Sequence, residues 1–586
     1  MLKLFKLLSK RERKWAVCSL VFIVAQVWLD LKMPEYMSVI TQLVQTPGSE
    51  MSEILLNGGY MLLCALGSMA AAMITGYFAA RIAAGLSKSI RDKVFKKVMC
   101  FNSEEIGRFS TASLITRTTN DITQVQMIVS IGLQAIVKAP ILLVWAVVKI
   151  AGKQWQWSLA TACAVGVILI VMLICVVLAL PKFQVIQDLT DKLNRVTREN
   201  LTGIRVVRAY NAQKFQEGKF DEANEELTDT NLFANRVMAL LNPTMTLVTS
   251  GISLAIYWIG AVLINGADMM EKLSIFSDMV VFTSYAMQVI MSFTILTLMT
   301  VILPRVMVSV HRINEVLDTD IAMKDGKLDG ENLSQRGTVE FRNVSFRYPD
   351  GGDYVLKNIS FTANRGETVA FIGSTGSGKS TLVQLIPRFY DATEGDVLVD
   401  GVNVKEYSQK SLRNKLGYVT QKAILFSGSV KSNIAFGDNG RQHTDAGVAL
   451  AAQIAQAAEF VEKMNGKYDA HIAQGGTNIS GGQKQRLSIA RAVARRAEIY
   501  VFDDSFSALD YKTDRVLRSA LNDKLGNATK LIVAQRIGTI RGADKIVVLE
   551  GGKIAGIGTH DELLRSCKTY QEIARSQLSE EELHNA

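Results

Sequence analysis

Cysteine is scarce in this chain of 586 residues: Cys18, Cys64, Cys100, Cys163, Cys175 and Cys567 have no paired spacing and no C-x-x-C, which excludes a disulfide scaffold and leaves most of them as small packing residues in apolar runs. Histidine is scarcer still, with only His311, His443, His471, His560 and His584. Tryptophan is missing altogether after Trp258, and five of the six cysteines also lie before residue 260. Charged residues make up only 20% of the chain against 48% hydrophobic, too apolar for a disordered tail and without the period of a collagen. The long apolar runs end near Pro304. The first half therefore reads as a chain dissolved in lipid and the second as a chain dissolved in water.

Six stretches are long enough to cross a hydrocarbon core of about 30 Å: 15–39, 58–80, 128–151, 157–180, 239–264 and 275–303. The net charge of +10 is distributed by membrane side. Before residue 15 and in 81–125 and 182–236 there are 23 Lys and Arg; the alternate connections 41–58, 152–156 and 264–274 hold 2. That asymmetry places the basic loops and both termini in the cytoplasm, and it argues against nucleic acid as the partner of the charge. No cleavable signal is read, because the first apolar run is too long and lacks a small-residue cleavage site. Residues 1–14 alternate Leu and Phe with Lys and Arg, as an interfacial elbow helix would.

The loops 81–127 and 181–238 are polar, rich in helix formers and free of internal proline after Pro181. Read as helical arms, the second reaches roughly 40 Å into the cytoplasm at 1.5 Å per residue. Their tips fall near Glu104–Phe109 and Ala209–Gln213. Within the spans Asp30, Lys32, Lys138 and Asp278 are functional candidates, and Met287, Met291 and Met299 form a stripe at helical spacing.

From residue 337 the pattern changes to short β-branched runs. Thr338–Val344, Phe346–Tyr348 and Ile359–Thr362 read as an antiparallel layer. Glu367–Ile372 reads as a strand feeding Gly373-Ser374-Thr375-Gly376-Ser377-Gly378-Lys379-Ser380-Thr381, a complete phosphate loop followed by a helix. Lys379 is spaced to reach β/γ-phosphates and Ser380 to ligate Mg²⁺. A second apolar strand, Ile499–Phe502, delivers Asp503 as the metal-facing carboxylate and Asp504 toward the attacking water. Ser480-Gly481-Gly482-Gln483 opens another helix and provides a second anion-binding amino terminus.

On these motifs the chain resembles a half-transporter of the ATP-binding cassette superfamily, exporter type. The resemblance implies six membrane helices with long cytoplasmic extensions, joined to an α/β P-loop nucleotide-binding domain that carries an antiparallel β subdomain. The expected domains are 1–14 elbow, 15–310 membrane, 311–336 linker, 337–578 nucleotide-binding and 579–586 tail. The resemblance assigns Tyr348 to stack on adenine, Gln421 to link nucleotide and membrane arms and to help Ser380 and Asp503 hold Mg²⁺, Ser480–Gln483 to the signature, and Ser507 and Asp510 to the D-loop.

The chain departs from that family at two positions. Asp504 stands where most members carry Glu, and Gln535 where they carry His. Aspartate loses about 1.5 Å of reach, and glutamine cannot pass a proton at neutral pH. The expectation is an ATP site that binds but hydrolyses weakly, beside a signature that completes the competent site of a second half-transporter. The alternatives are a homodimer with two slow sites, an exporter-fold importer or a peptide or lipid transporter, and, in another class, an ATP-gated channel or regulator. Membrane lipid and a small amphipathic substrate, drug-like or lipid-like and carried out of the cell, are the other partners that the resemblance implies, in a bacterial cytoplasmic membrane.

Overall fold

The computed structural model describes residues 2–46, 48–151, 154–330, 335–349 and 351–578. The acidic end 579–586, Met1 of the elbow, residues 152–153 of one short connection and 331–334 of the linker lie outside the described residues. The chain packs as two units, Met1–Met99 with Thr111–Thr319, and Cys100–Ser110 with Asp320–Ala586.

Helices dominate the first unit. α1 (Leu2–Phe5) is a single turn, and the helix of the first span, α2 (Lys10–Gln45), starts inside the stretch read as an elbow. Ser9 fixes that start: its hydroxyl accepts from Glu12 N while Glu12 Oε2 accepts from Ser9 N at 2.7 Å, a capping box. α3 (Met51–Met99) follows. The short α4 (Ser103–Phe109) packs with the second unit, so the tip of the first loop is not part of the membrane domain by packing. α5 (Thr111–Thr118) and α6 (Asn120–Ala151) return, and α7 (Trp155–Thr202) runs into the short α8 (Ile204–Ala209). α9 (Gln213–Ala239), α10 (Leu241–Gly266) and α11 (Met269–Asp318) complete the unit, α11 running eight residues into the stretch read as linker. Among the described residues six helical segments are long and apolar enough to span.

Each spanning helix buries one stripe and exposes apolar side chains on the other. α2 buries Ser19, Ile23, Val27 and Leu31 at four-residue spacing, and α10 buries Val248, Ile252, Ile256 and Gly260. Leu62, Leu63, Leu66, Leu173 and Val177 face outward, an arrangement stable only against lipid. The methionine stripe of α11 is not one face: Met287 is half-buried, Met291 exposed and Met299 buried.

In the second unit β1 (Val339–Phe346), β2 (Leu356–Ala363) and later β4 (Glu394–Val399) and β5 (Val402–Asn403) form an antiparallel sheet in the order β2-β1-β4-β5, introduced around β3 (Thr368–Gly373) and α12 (Lys379–Gln384). Phe346 ends β1, so Phe346–Tyr348 is not a strand of its own and Tyr348 sits in the loop that follows. α13 (Gln409–Asn414) leads to β6 (Leu416–Val419). A helical insertion follows, with the ribbon β7 (Gly428–Ser429) and β8 (His471–Ile472) around α14 (Val430–Ile434), α15 (Asp445–Ile454) and α16 (Ala458–Lys463). α17 (Gly481–Ala494), β9 (Ile499–Asp503), α18 (Tyr511–Lys524), β10 (Thr529–Val533), α19 (Ile537–Ile540), β11 (Lys545–Glu550), β12 (Lys553–Gly558), α20 (His560–Ser566) and α21 (Lys568–Gln577) finish the chain.

The main sheet has the order β12-β11-β3-β10-β9-β6, parallel except for β12. β9 and β10 are buried along their whole lengths, as a parallel sheet covered on both faces requires. Alternate residues serve different cores: Leu531 and Val533 pack with Phe341 and Phe361 of the antiparallel sheet, Ile532 with Leu487 and Leu517 of the helical side. The carboxyl ends of β3, β9 and β10 thus lie side by side, the place where such sheets bind ligands.

Candidate active site

β3 ends at Gly373, where a Cβ would lie 2.1 Å from the Leu549 carbonyl oxygen. At the other end of the loop Gly378 holds φ +95°, and a Cβ there would meet Leu356 Cδ2 at 2.7 Å. Both positions therefore demand glycine. Gly378→Ala is expected to weaken nucleotide binding at least tenfold in a fluorescent-nucleotide titration, because the loop must deform to admit the methyl.

α12 begins at Lys379, which is buried. Its Nζ donates to the carbonyl oxygens of Gly373 and Ser374, each at 2.8 Å, and to Ser377 Oγ at 3.4 Å. These acceptors are neutral. Burial pushes the Lys379 ammonium down, partly opposed by the charges of Asp504 and Asp503; a phosphate oxygen supplies the counter-charge such a cation lacks.

Ser380 Oγ donates to Asp503 Oδ1 at 2.7 Å, so the two residues assigned to the metal are already together. Burial pushes the Asp503 carboxyl up, the Ser380 hydrogen bond opposing and the Asp504 charge adding. Tyr418 OH approaches Asp503 Oδ2 at 3.5 Å. Tyr418 carries no motif of its own in the sequence beyond standing three residues before Gln421; the pairing of β6 with β9 is what brings it to Asp503. Two protein oxygens, from Ser380 and Asp503, suit Mg²⁺, which keeps several waters and takes substrate phosphates rather than an all-protein cage.

Asp504 is buried and has φ +47°, a left-handed conformation uncommon outside glycine. Two amides converge on its Oδ2: Gln535 Nε2 at 2.7 Å and Gln421 Nε2 at 3.3 Å. Ser507 Oγ donates to Asp504 O at 2.9 Å, tying the D-loop to the same residue. Gly376, Gly378, Lys379, Ser380, Thr381, Gln421, Asp504 and Gln535 all line one cavity of about 320 Å³. Tyr348 stands nearby, its hydroxyl 2.9 Å from Thr381 Oγ1 and its ring edge-on to Tyr390 at 5.3 Å.

The signature is built separately. Ser480 caps α17, accepting from Gln483 N at 3.3 Å while Gln483 Oε1 accepts from Ser480 N at 3.0 Å. Gly481 has open space where a Cβ would stand, room for a ligand to approach the helix amino terminus. None of Ser480–Gln483 lines the phosphate-loop cavity. Asp510 caps α18 by accepting from Thr513 N at 2.9 Å, and the Thr513 hydrogen bonds hold its carboxyl below the usual range.

Residues 356–507 match the ABC transporter family, and residues 16–293 match the ABC transporter transmembrane region. An uncharacterized ABC transporter ATP-binding protein of Mycobacterium tuberculosis is 38% identical over 523 residues, 89% of this chain and 87% of its own. This chain belongs to the ABC transporter family. The ATP-dependent lipid A-core flippase of Pseudomonas aeruginosa is 31% identical over 509 residues, covering 86% of this chain and 82% of the flippase. A bacterial Atm1-family ABC exporter with ATP bound shares the fold, with a TM-score of 0.80 over 97% of this chain and 99% of that one at 24% identity. The chain is a multi-pass ATP-hydrolysing ABC transporter with the exporter fold.

Proposed function

We propose that this ABC transporter is one subunit of a heterodimeric exporter of amphipathic, lipid-like molecules in a bacterial cytoplasmic membrane, both termini cytoplasmic. Its own phosphate loop forms a weakly hydrolysing ATP site, and its Ser480–Gln483 signature completes the competent site of a second half-transporter. The observation that carries this reading is the pair of amides on Asp504: Gln535 at 2.7 Å and Gln421 at 3.3 Å both donate to Oδ2 of the carboxylate that stands at the base position, and donors to a carboxylate lower its basicity. Neither amide titrates near neutral pH, so neither can relay the proton that hydrolysis releases. Losing a positioned base typically costs about 10²–10⁴-fold in rate.

Binding is supported by a different set of residues. Lys379 meets the phosphates, Tyr348 offers an aromatic face to adenine, and the loop amides from Gly373 to Thr381 surround the β/γ-phosphates. Ser380 and Asp503 would hold Mg²⁺, with the amide oxygen of Gln421 as a further ligand. When bound, that ion neutralises charge on the transferring phosphoryl group. The greasy spans and the named lipid A-core flippase relatives support an amphipathic lipid-like cargo.

Nucleotide retention tests the reading. Radiolabelled ATP bound to the purified complex is expected to leave in two phases, half converted to ADP quickly and half recovered intact after many turnovers of the first. A single phase with complete conversion would identify two equivalent sites and a homodimer-like machine.

A further inference from the structure

A group of polar side chains partway along the membrane helices takes no part in nucleotide chemistry. Pro34 lies inside α2 and has no N–H, so it leaves the carbonyl of Asp30, four residues earlier, without its helical partner. Gln288 of α11 fills that gap, its Nε2 donating to Asp30 O at 3.4 Å. Doing so commits the amide nitrogen and leaves Gln288 Oε1 buried with no hydrogen-bond partner among the described residues. The Asp30 carboxylate meanwhile takes the Lys138 ammonium of α6 on Oδ2 at 3.0 Å and the Ser68 hydroxyl of α3 on Oδ1. Four helices thus meet at one polar cluster. Each of the four residues lies within three positions of the middle of its predicted span.

Such a cluster is costly in hydrocarbon, and packing alone does not need it. Its charged side chains are not sealed: Asp30 keeps 20% of its surface open and Lys138 26%. The choice of ligand follows from charge balance. A purely anionic head group would take Lys138 and strand the Asp30 carboxylate, and a purely cationic one would strand Lys138. A zwitterion instead exchanges the internal pair for two intermolecular ones, its cation on Asp30 and its anion on Lys138, with no charge left alone. The orphan Gln288 Oε1 adds a demand for an N–H donor beside that cation.

We propose that this cluster receives the head group of an amphiphile carrying a primary ammonium and a phosphate. The inference deepens the exporter reading and rests on it for the direction of movement, but binding itself requires no ATP. Native mass spectrometry of the full-length chain in non-ionic detergent can be titrated with phosphatidylethanolamine, phosphatidylcholine and phosphatidylglycerol. Phosphatidylethanolamine is expected to bind at least tenfold more tightly than phosphatidylglycerol, and the isoelectric double variant Asp30→Asn/Lys138→Met to erase that preference. Gln288→Leu is expected to remove only the advantage over phosphatidylcholine, whose quaternary ammonium has no N–H to donate. Equal binding of the three lipids by the native chain, or a preference untouched in both variants, overturns the proposal. A loss of folding in the double variant, read by thermal unfolding, leaves Gln288→Leu to decide. Preferred binding without lipid export would fault the exporter reading alone, and export with no preference would fault this one alone.

Discussion

Replacing Gly481 with aspartate is expected to silence the assembled transporter, cutting steady-state ATP turnover by about 10³-fold or more, roughly 4 kcal/mol of barrier. The side chain fits, because the space above Gly481 is open in the structure. It places a carboxylate where α17 presents its positive end to a phosphate, turning attraction into repulsion. Under the proposed pairing that phosphate belongs to the nucleotide held by the other half-transporter, at the site that does the chemistry. Lys379→Ala strikes the other nucleotide. It should weaken ATP binding at this chain's own loop and reduce turnover only several-fold. The comparison is a steady-state phosphate-release assay on the purified pair. Equal losses from the two substitutions would show that the sites are equivalent.

The second large effect runs in the opposite direction. Restoring both departures, with Asp504→Glu and Gln535→His together, is expected to raise hydrolysis at this site by about 10²–10⁴-fold. Glutamate recovers about 1.5 Å of reach, and histidine restores a group that titrates near neutral pH. Asp504→Glu alone should give much less, since Gln535 and Gln421 would still donate to the lengthened carboxylate. Single-turnover hydrolysis, measured with the partner's own phosphate loop disabled, isolates this site. No gain from the double variant would mean that the signature facing it, not the base, limits its rate.

Much of this is legible in the amino-acid sequence alone, for physical reasons that differ along the chain. The spans announce themselves because lipid demands about 20 apolar residues in a row, a local requirement. The phosphate loop does so because its glycines, Lys379 and Ser380 answer a geometric need within nine consecutive residues. Strand β4 has little signal in the sequence, since its first three residues are exposed and its partners on β1 lie between Ser345 for Glu394 and Val339 for Val399, far away in the chain. Phe346–Tyr348 reads as a strand on residue type alone, whereas the pairing of β1 with β2 stops at Phe346. At the site, the identities of Asp504 and Gln535 were plain, but the convergence of Gln421 and Gln535 on one oxygen arises from β6, β9 and β10 lying in one sheet. Tyr418 came into view for the same reason. In the membrane unit the sequence marked Asp30 and Lys138 separately; only packing makes them a pair.

The first loop tip has a practical corollary for anyone dissecting the molecule. Asn102 caps α4, Glu105 Oε2 accepts from Asn102 N at 2.8 Å, and Glu105 Oε1 accepts from Ala322 N at 3.0 Å. Phe101 and Phe109, stacked at 5.8 Å, are buried in the same stretch. A recombinant fragment cut to begin at Asp320 would discard these eleven residues and leave the Ala322 amide without its acceptor. Soluble truncations of that kind would underreport melting temperature and should be supplied with residues 100–110 as a peptide before their behaviour is compared with the intact chain.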